Sequence, residues 1–91
     1  AEAARLLRLL GNENRLLLLC HLVAEGEMTV GTLAEAIGLS QPALSQHLAR
    51  LREDGLVETR KAAQAVFYRL GDPKAARLLG VLRDLYCPEP G

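Results

Sequence analysis

Apolar residues recur at helical spacing through the first 54 positions of the chain. The pattern predicts a helix over residues 1–10, a second over about 12–24, and two short helices within 29–54. The second helix is apolar nearly all round, which is typical of a helix at the centre of a domain. Its predicted inward face carries Leu16, Leu19, Cys20 and Val23.

The two short helices within 29–54 are joined by a tight turn. Thr29 is placed to cap the third helix, and Gly38 can end it because glycine adopts the left-handed conformation without a Cβ clash. Ser40 offers a hydroxyl to the first free amides of the fourth helix, and Pro42 lies where a missing N–H costs little. The inward stripes are Leu33, Ala34 and Ile37 on the third helix and Leu44, Leu48 and Leu51 on the fourth. This arrangement predicts a helix-turn-helix.

After position 55 the hydrophobic period changes from helical to alternating. Residues 56–60 and 66–70 are predicted strands, and residues 61–65 form the tip between them. The tip lacks the glycine that a tight hairpin prefers, so its turn type stays open. Two strands directly after the second helix of a helix-turn-helix form a wing.

A last helix is predicted from Pro73 to about Tyr86, with Asp72 as its cap. Its apolar surface is larger than one small domain needs. The predicted fold is mainly α with a small β-hairpin, a winged helix-turn-helix that occupies residues 1–91 as a single domain. Its elements follow in the order helix, helix, helix, helix, strand, strand, helix.

The outer face of the fourth helix has the composition of a DNA-reading surface. Its side chains are small, amide or basic, and such side chains approach a base edge closely and still hydrogen-bond to it. Gln46 is the strongest candidate, because glutamine binds adenine bidentately, and Ser45 can serve several partners. A solvated helix face and, for His47, local packing or capping are the plainer explanations. The predicted DNA-binding residues of this segment are Ser40, Gln41, Ala43, Ser45, Gln46, His47 and Arg50.

The charge of the chain gives opposing indications about DNA binding. Lys and Arg total 11 and Asp and Glu total 11, so the formal net charge is zero, whereas a DNA-binding domain normally has a basic footprint. Arg60, Lys61 and Arg69 nevertheless lie in the wing, where they are candidates for phosphate contacts that add affinity without sequence choice. The zero net charge keeps open a winged helix used for protein–protein assembly.

Several classes of protein are not expected. No Ser/His/Asp set, carboxylate pair or phosphate-cradling glycine loop indicates an enzyme. The longest apolar run is far too short for a bilayer, and two cysteines in such a chain favour the cytoplasm, where a structural disulfide is rare.

These features resemble the ArsR/SmtB family of bacterial winged-helix regulators across nearly the whole chain. The matching stretches are LLGNENRL at 9–16, LSQPALSQHL at 39–48, LREDGLV at 51–57 and FYRL at 67–70. The resemblance implies a homodimer that pairs through its first and last helices, residues 1–10 and 73–87. It further implies a repressor that binds a palindromic operator in double-stranded DNA and releases it when a signal binds.

Metal-sensing members of that family carry a cysteine-rich motif in the third helix or Asp and His ligands along the last. Here the third helix has no thiol or imidazole, and the last has no histidine. A soft metal site normally needs three or four Cys or His donors. No metal site and no cofactor are expected.

Cys20 and Cys87 resemble the cysteine pair of the sulfide- and persulfide-responsive subgroup (the SqrR/BigR type), in the contexts LLLLCHL and LYCP. That resemblance implies that one thiolate takes sulfur from a reactive sulfur species and the other closes a sulfur-linked bridge. Taken singly, Cys20 is explained as buried packing and Cys87 as an incidental surface thiol. Peroxide, a general thiol oxidant or a metal stays open as the signal.

Overall fold

The computed structural model describes residues 2–86, which form five helices and one antiparallel sheet. The helices are α1 (Glu2–Leu10), α2 (Glu13–Glu25), α3 (Val30–Ile37), α4 (Gln41–Glu53) and α5 (Pro73–Tyr86). The strands are β1 (Met28–Thr29), β2 (Val57–Ala62) and β3 (Ala65–Leu70), ordered β1-β3-β2 across the sheet. The predicted helical fold with a winged helix-turn-helix is confirmed.

Local hydrogen bonds explain where the helices begin and end. Three predicted caps accept a bond from an amide of the first turn: Thr29 from Thr32 at 3.3 Å, Ser40 from Ala43 at 3.3 Å and Asp72 from Lys74 at 2.9 Å. Gly38 ends α3 in the left-handed conformation with a φ of 76°. Each cap is worth about 1 kcal/mol. Gly38 at the end of α3 and Ser40 at the start of α4 define the turn between these two helices.

Leucines from four helices form the core. The predicted stripe of α4 is fully buried and is confirmed. In the predicted stripe of α3, Leu33 and Ala34 are buried, whereas Ile37 is half-buried against the core. The largest fully buried side chains are Leu18, Leu19, Leu22, Leu33, Leu44, Leu48, Leu51 and Leu79. The inner side of α4 is therefore held in the core, and its outer side is accessible to a partner.

The predicted inward face of α2 is wrong in part. Leu18 and Leu22 are fully buried together with Leu19, whereas Leu16, Cys20 and Val23 are only half-buried. The reason is that α2 contacts α1, α3, α5 and β3 at once. A helix that is packed from several sides and is apolar nearly all round has no single face that periodicity can select.

The predicted bounds of the wing are also corrected. Lys61 lies opposite Val66 and Ala62 lies opposite Ala65, so the tip is the two-residue turn Ala63-Gln64 rather than residues 61–65. Ala63 takes a φ of 55° without being glycine. The turn was hidden in the sequence because its usual glycine is absent.

The short strand β1 was not predicted. Met28 lies opposite Tyr68 and Thr29 lies opposite Phe67, so the wing hairpin is joined to the segment that enters α3. Two residues are too few to show an alternating pattern, and Thr29 also serves as the cap of α3.

The last helix leaves much apolar surface uncovered. α5 buries Ala75 and Leu79, whereas Val81, Leu85 and Tyr86 are 54%, 66% and 76% exposed. The excess apolar surface expected from the sequence is present. Within residues 2–86, none of the helices has both the length and the apolar character needed to cross a bilayer.

Candidate nucleic-acid interface

The outer face of α4 presents a continuous strip of accessible side chains. Ala43 and His47 are half-buried at its edge, and Ser40 is exposed although its hydroxyl caps the helix. The fully exposed members of the strip are Gln41, Pro42, Ser45, Gln46, Ala49 and Arg50. Because buried leucines hold the other side of α4, this strip is presented on a rigid element.

Gln41 reaches across the turn of the helix-turn-helix. Its Nε2 lies 3.6 Å from where a Cβ at Gly31 would stand, in the first turn of α3. A small side chain at position 31 would therefore only contact the amide of Gln41. Gln41 is positioned at the junction of the two helices, at one end of the strip.

The three predicted basic residues of the wing do not lie together. Arg60 and Arg69 point to one face of the sheet, and Lys61 points to the other, because side chains alternate along a strand. Arg60 donates from Nε and Nη2 to the two carboxylate oxygens of Glu27, both at 2.8 Å, and lies 5.0 Å over the ring of Phe67. Such a bidentate pair ties the strand β2 to the turn before β1.

Arg69 joins the same network. Its Nε donates to Glu58 Oε1 at 2.8 Å, and its Nη1 lies 3.8 Å from Glu27 Oε2. The hydrogen bond from Arg60, against a smaller desolvation effect, holds the pKa of Glu27 below its usual value, and the charges of Arg60 and Arg69 add to this. The charges on this face of the wing are thus largely satisfied within the fold.

Lys61 lies on the face of the sheet that α4 packs against. Tyr68, on that same face, lines a surface concavity together with Ser45, Ala49 and Arg52 of α4. Among residues 2–86, Lys61 has no carboxylate within 4 Å, so its charge is available to a partner. The structure thus places Lys61 on the same side of the sheet as α4, and it places Arg60 and Arg69 on the other side.

Arg52 was missed in the sequence. It is exposed and borders the concavity beside Ser45 and Ala49. The three positions are spaced i, i+4 and i+7, which places them on one stripe of a helix. That spacing was the signal that could have identified Arg52 as part of the interface.

Cys20 lies apart from the outer face of α4. It is half-buried on α2 and lines a shallow concavity with Leu17, His21, Ala24 and Arg83, the last from α5. Cys87 lies outside the described residues. Within residues 2–86, no cluster of three or more His, Cys, Asp or Glu is placed to hold a metal ion.

The family model described as "Bacterial regulatory protein, arsR family" matches residues 12–59, a range that holds α2, β1, α3, α4 and the start of β2. The chain belongs to the ArsR family. It is 49% identical over 88 residues to the biofilm growth-associated repressor of Xylella fastidiosa, covering 97% of this chain and 76% of that protein. It is 51% identical over 87 residues to the transcriptional activator HlyU of Vibrio cholerae, covering 96% of this chain and 80% of that one.

A solved structure agrees with the sequence relatives. The structure of reduced HlyU from Vibrio cholerae superimposes with a TM-score of 0.87 at 50% identity, covering 93% of this chain and 88% of that chain. The chain is therefore a transcriptional regulator of the ArsR family, whose members bind DNA, and it is not an enzyme.

Proposed function

We propose that this chain is a cytoplasmic repressor that binds a palindromic operator as a homodimer and leaves it when Cys20 and Cys87 react with persulfide or polysulfide. The outer face of α4 carries the first half of the proposal, since it is exposed, rigidly backed and lined by small, amide and basic side chains. The name of the 49% identical relative agrees with repression, whereas the 51% identical relative is named an activator, so repression is part of the proposal.

The dimer is supported by uncovered apolar surface on the outer helices. Leu7 of α1 is 60% exposed, and Val81 and Leu85 of α5 are 54% and 66% exposed. Apolar side chains grouped on the first and last helices are a surface that a second copy of the chain would cover. A two-fold dimer presents two copies of α4, which requires an operator of matching symmetry.

Gln46 is the proposed base-reading residue, with Ser45 beside it. Replacing Gln46 with alanine removes one bidentate contact, which is worth about 1–3 kcal/mol of discrimination, or roughly 5- to 150-fold. The measurement is fluorescence anisotropy on a palindromic duplex selected from a random pool and on an unselected duplex. We expect the selected duplex to lose affinity and the unselected duplex to change little.

Asn14→Ala is the matched control, because Asn14 is an exposed amide on α2 and is not one of the side chains of the outer face of α4. Equal losses of Gln46→Ala on the selected and unselected duplexes would remove Gln46 from base reading. No binding of the wild-type chain to any duplex at low salt would instead overturn the DNA-binding role.

The proposed signal acts at the thiols. A thiolate attacks the terminal sulfur of a persulfide R–S–SH, and R–S⁻ leaves, so that the cysteine becomes a persulfide. A second persulfide extends this group to Cys–S–S–SH in the same way, again with loss of R–S⁻. The second thiolate then attacks the middle of these three sulfur atoms, HS⁻ leaves, and a bridge forms that contains one sulfur atom more than a disulfide. The reacting form is the thiolate, which a neighbouring cation favours, and Arg83 lines the concavity of Cys20.

Intact mass spectrometry tests the signal. The reduced protein is exposed to glutathione persulfide and, in parallel, to hydrogen peroxide. We expect added sulfur with loss of both thiols in the first tube and little change in the second, and loss of DNA binding only in the first. A simple disulfide in both tubes would make the chain a general thiol switch, and a full response of Cys20→Ser would exclude the cysteine pair.

A further inference from the structure

Four arginines surround one concavity on the side of the molecule where α1, α2 and α4 meet. Arg5 and Arg8 come from α1, Arg15 from the first turn of α2, and Arg50 from the last turns of α4. The concavity measures about 350 Å³, and Asp54 is its one acidic lining residue. Although the whole chain has a formal net charge of zero, this place holds a marked excess of positive charge.

One carboxylate is shared by two of these arginines. Arg5 Nη2 donates to the carbonyl oxygen of Asp54 at 2.9 Å and lies 3.9 Å from its Oδ1. Arg50 Nε lies 3.6 Å from its Oδ2. Among residues 2–86, Arg8 and Arg15 have no carboxylate within 4 Å. The local charge is therefore left uncompensated by the described part of the fold.

Arg15 provides a second observation. Its Nε is buried, and no atom of residues 2–86 accepts a hydrogen bond from it. Leaving a buried donor without an acceptor destabilises the fold, and does so more strongly when the group is charged. The backbone amide of Arg15 is held by Asn12 Oδ1 at 3.1 Å, which fixes the residue at the start of α2. A donor that is already out of water gains more from an anionic partner than a fully hydrated donor does.

We propose that this arginine cluster, Arg5, Arg8, Arg15 and Arg50, binds a phosphate-type oxyanion. Planar guanidinium forks match the oxygens of such a group, and several forks can engage one anion from different sides. A phosphate of the DNA backbone and a free phosphate supply the same chemistry. The backbone source is favoured by Arg50, which lies one helical turn after Gln46 on the exposed side of α4, and that source alone rests on the proposed function.

An anion at this place would join two parts of the molecule. Arg5 and Arg8 belong to α1, the proposed dimer helix, and Arg50 belongs to α4, the proposed reading helix. The occupied cluster would add phosphate contacts beyond α4 and the wing. It would also hold α1 against the end of α4.

Nuclear magnetic resonance of arginine Nε–H groups tests the proposal directly. The full chain is titrated at constant ionic strength with inorganic phosphate in one arm and with an unselected DNA duplex in the other. We expect the Nε–H signals of Arg8 and Arg15 to shift in a saturable way in at least one arm. Shifts with phosphate identify a free-ligand site, and shifts with DNA alone identify a backbone contact.

Arg8→Gln and Arg77→Gln form the matched pair, since both remove one charge from an exposed helical position and only Arg8 lines the concavity. We expect Arg8→Gln to weaken the responding arm at least tenfold, and to lower the salt slope of DNA binding by about 1 where DNA is the source. Arg77→Gln should leave both unchanged. Circular dichroism of each variant shows that it is folded.

The outcomes separate this proposal from the proposed function. Saturable phosphate shifts without any binding of DNA would support the oxyanion site and overturn the repressor. Normal DNA binding with unshifted Arg8 and Arg15 signals in both arms would overturn the oxyanion site and leave the repressor intact. Equal losses for Arg8→Gln and Arg77→Gln would reduce the effect to net charge and overturn the site.

Discussion

Two adjacent residues of the wing show how much a single position decides. Arg60 and Lys61 are neighbours in the chain, and both are cations of a predicted phosphate-contacting segment. Arg60 donates two hydrogen bonds to Glu27 and lies over the ring of Phe67. Lys61 lies on the opposite face of the sheet, towards α4. Charge at the sequence level does not distinguish the two residues. The pleat of the strand does.

Substitutions of Arg60 and Lys61 should have different effects on DNA binding. We expect Lys61→Gln to lower the slope of log affinity against log salt by about 1, because one phosphate contact is lost. Arg60→Gln should leave the slope unchanged. The measurement is the affinity for an unselected duplex over a salt series, and a larger loss of slope for Arg60→Gln would reverse the assignment.

Ala63 is the strained residue of the wing tip. Its φ of 55° costs a side chain with a Cβ roughly 1–2 kcal/mol. Glycine removes that strain but adds freedom to the unfolded chain, which offsets about 0.4–1 kcal/mol. Ala63→Gly should therefore raise the free energy of unfolding by about 0.5–1 kcal/mol in urea titrations. Ala62→Gly, in the regular strand, is the control and should lower it.

Among the elements, the wing is attached to the helical body in two ways. β3 pairs with β1 in the centre of the sheet, and Glu27 binds Arg60 of β2 just before β1 begins. Both attachments meet at the entrance to α3, whose cap is Thr29. These attachments hold the wing to the start of α3, in addition to the packing of β2 on α4 and of β3 on α2.

This attachment depends on pH. Because the pKa of Glu27 in the folded state lies below its ordinary value of 4.5, the carboxylate stabilises the fold above that value. The contribution is lost as pH falls from about 4.5 through the lower folded pKa. We expect hydrogen exchange of the β3 amides to accelerate in that range, relative to the amides of α2.

Glu27→Gln should flatten this dependence, since the titrating group is gone. Arg60→Gln should reduce it, because the hydrogen bond from Arg60 is the largest cause of the shift. An unchanged acid dependence in Glu27→Gln would assign the effect to another carboxyl group.

For the whole molecule, the main feature that the fold of a single chain does not explain is its exposed apolar surface. A small domain buries proportionally less surface than a large one, so association is an efficient route to stability. Here the exposed side chains lie on α1 and on the second half of α5, with Val81 and Leu85 the clearest members. The surface for a second copy is thus separate from the outer face of α4.

A charge placed on that surface should dissociate the dimer. We expect Leu85→Glu combined with Val81→Glu to sediment as a monomer and to lose at least tenfold in affinity for a selected palindrome, because two half-sites are no longer linked. Val66→Glu, an exposed apolar position on the wing, is the control for oligomeric state. A wild-type chain that sediments as a monomer would contradict the proposed dimer.

The arrangement of the helices followed from local rules. Thr29, Ser40 and Asp72 bind amides within three residues of themselves, so the sequence alone identified them as caps. The α4 stripe also lies within one helix, and its spacing of three and four residues predicted burial. The same spacing located the outer face on which the proposed DNA-reading residues lie.

What the tertiary structure decided involves residues far apart in the chain. Long-range packing chose Leu18 and Leu22 as the inward residues of α2, and strand pairing added β1 and shortened the wing tip. Strand pairing extended β2 through Ala62, so that Lys61 lies in the strand on the face opposite Arg60. The packing of α1, α2 and α4 gathered four arginines around one concavity. A helix-capping hydrogen bond or a helix stripe is encoded by neighbouring positions. A shared cavity or a sheet face exists only after distant segments have packed together.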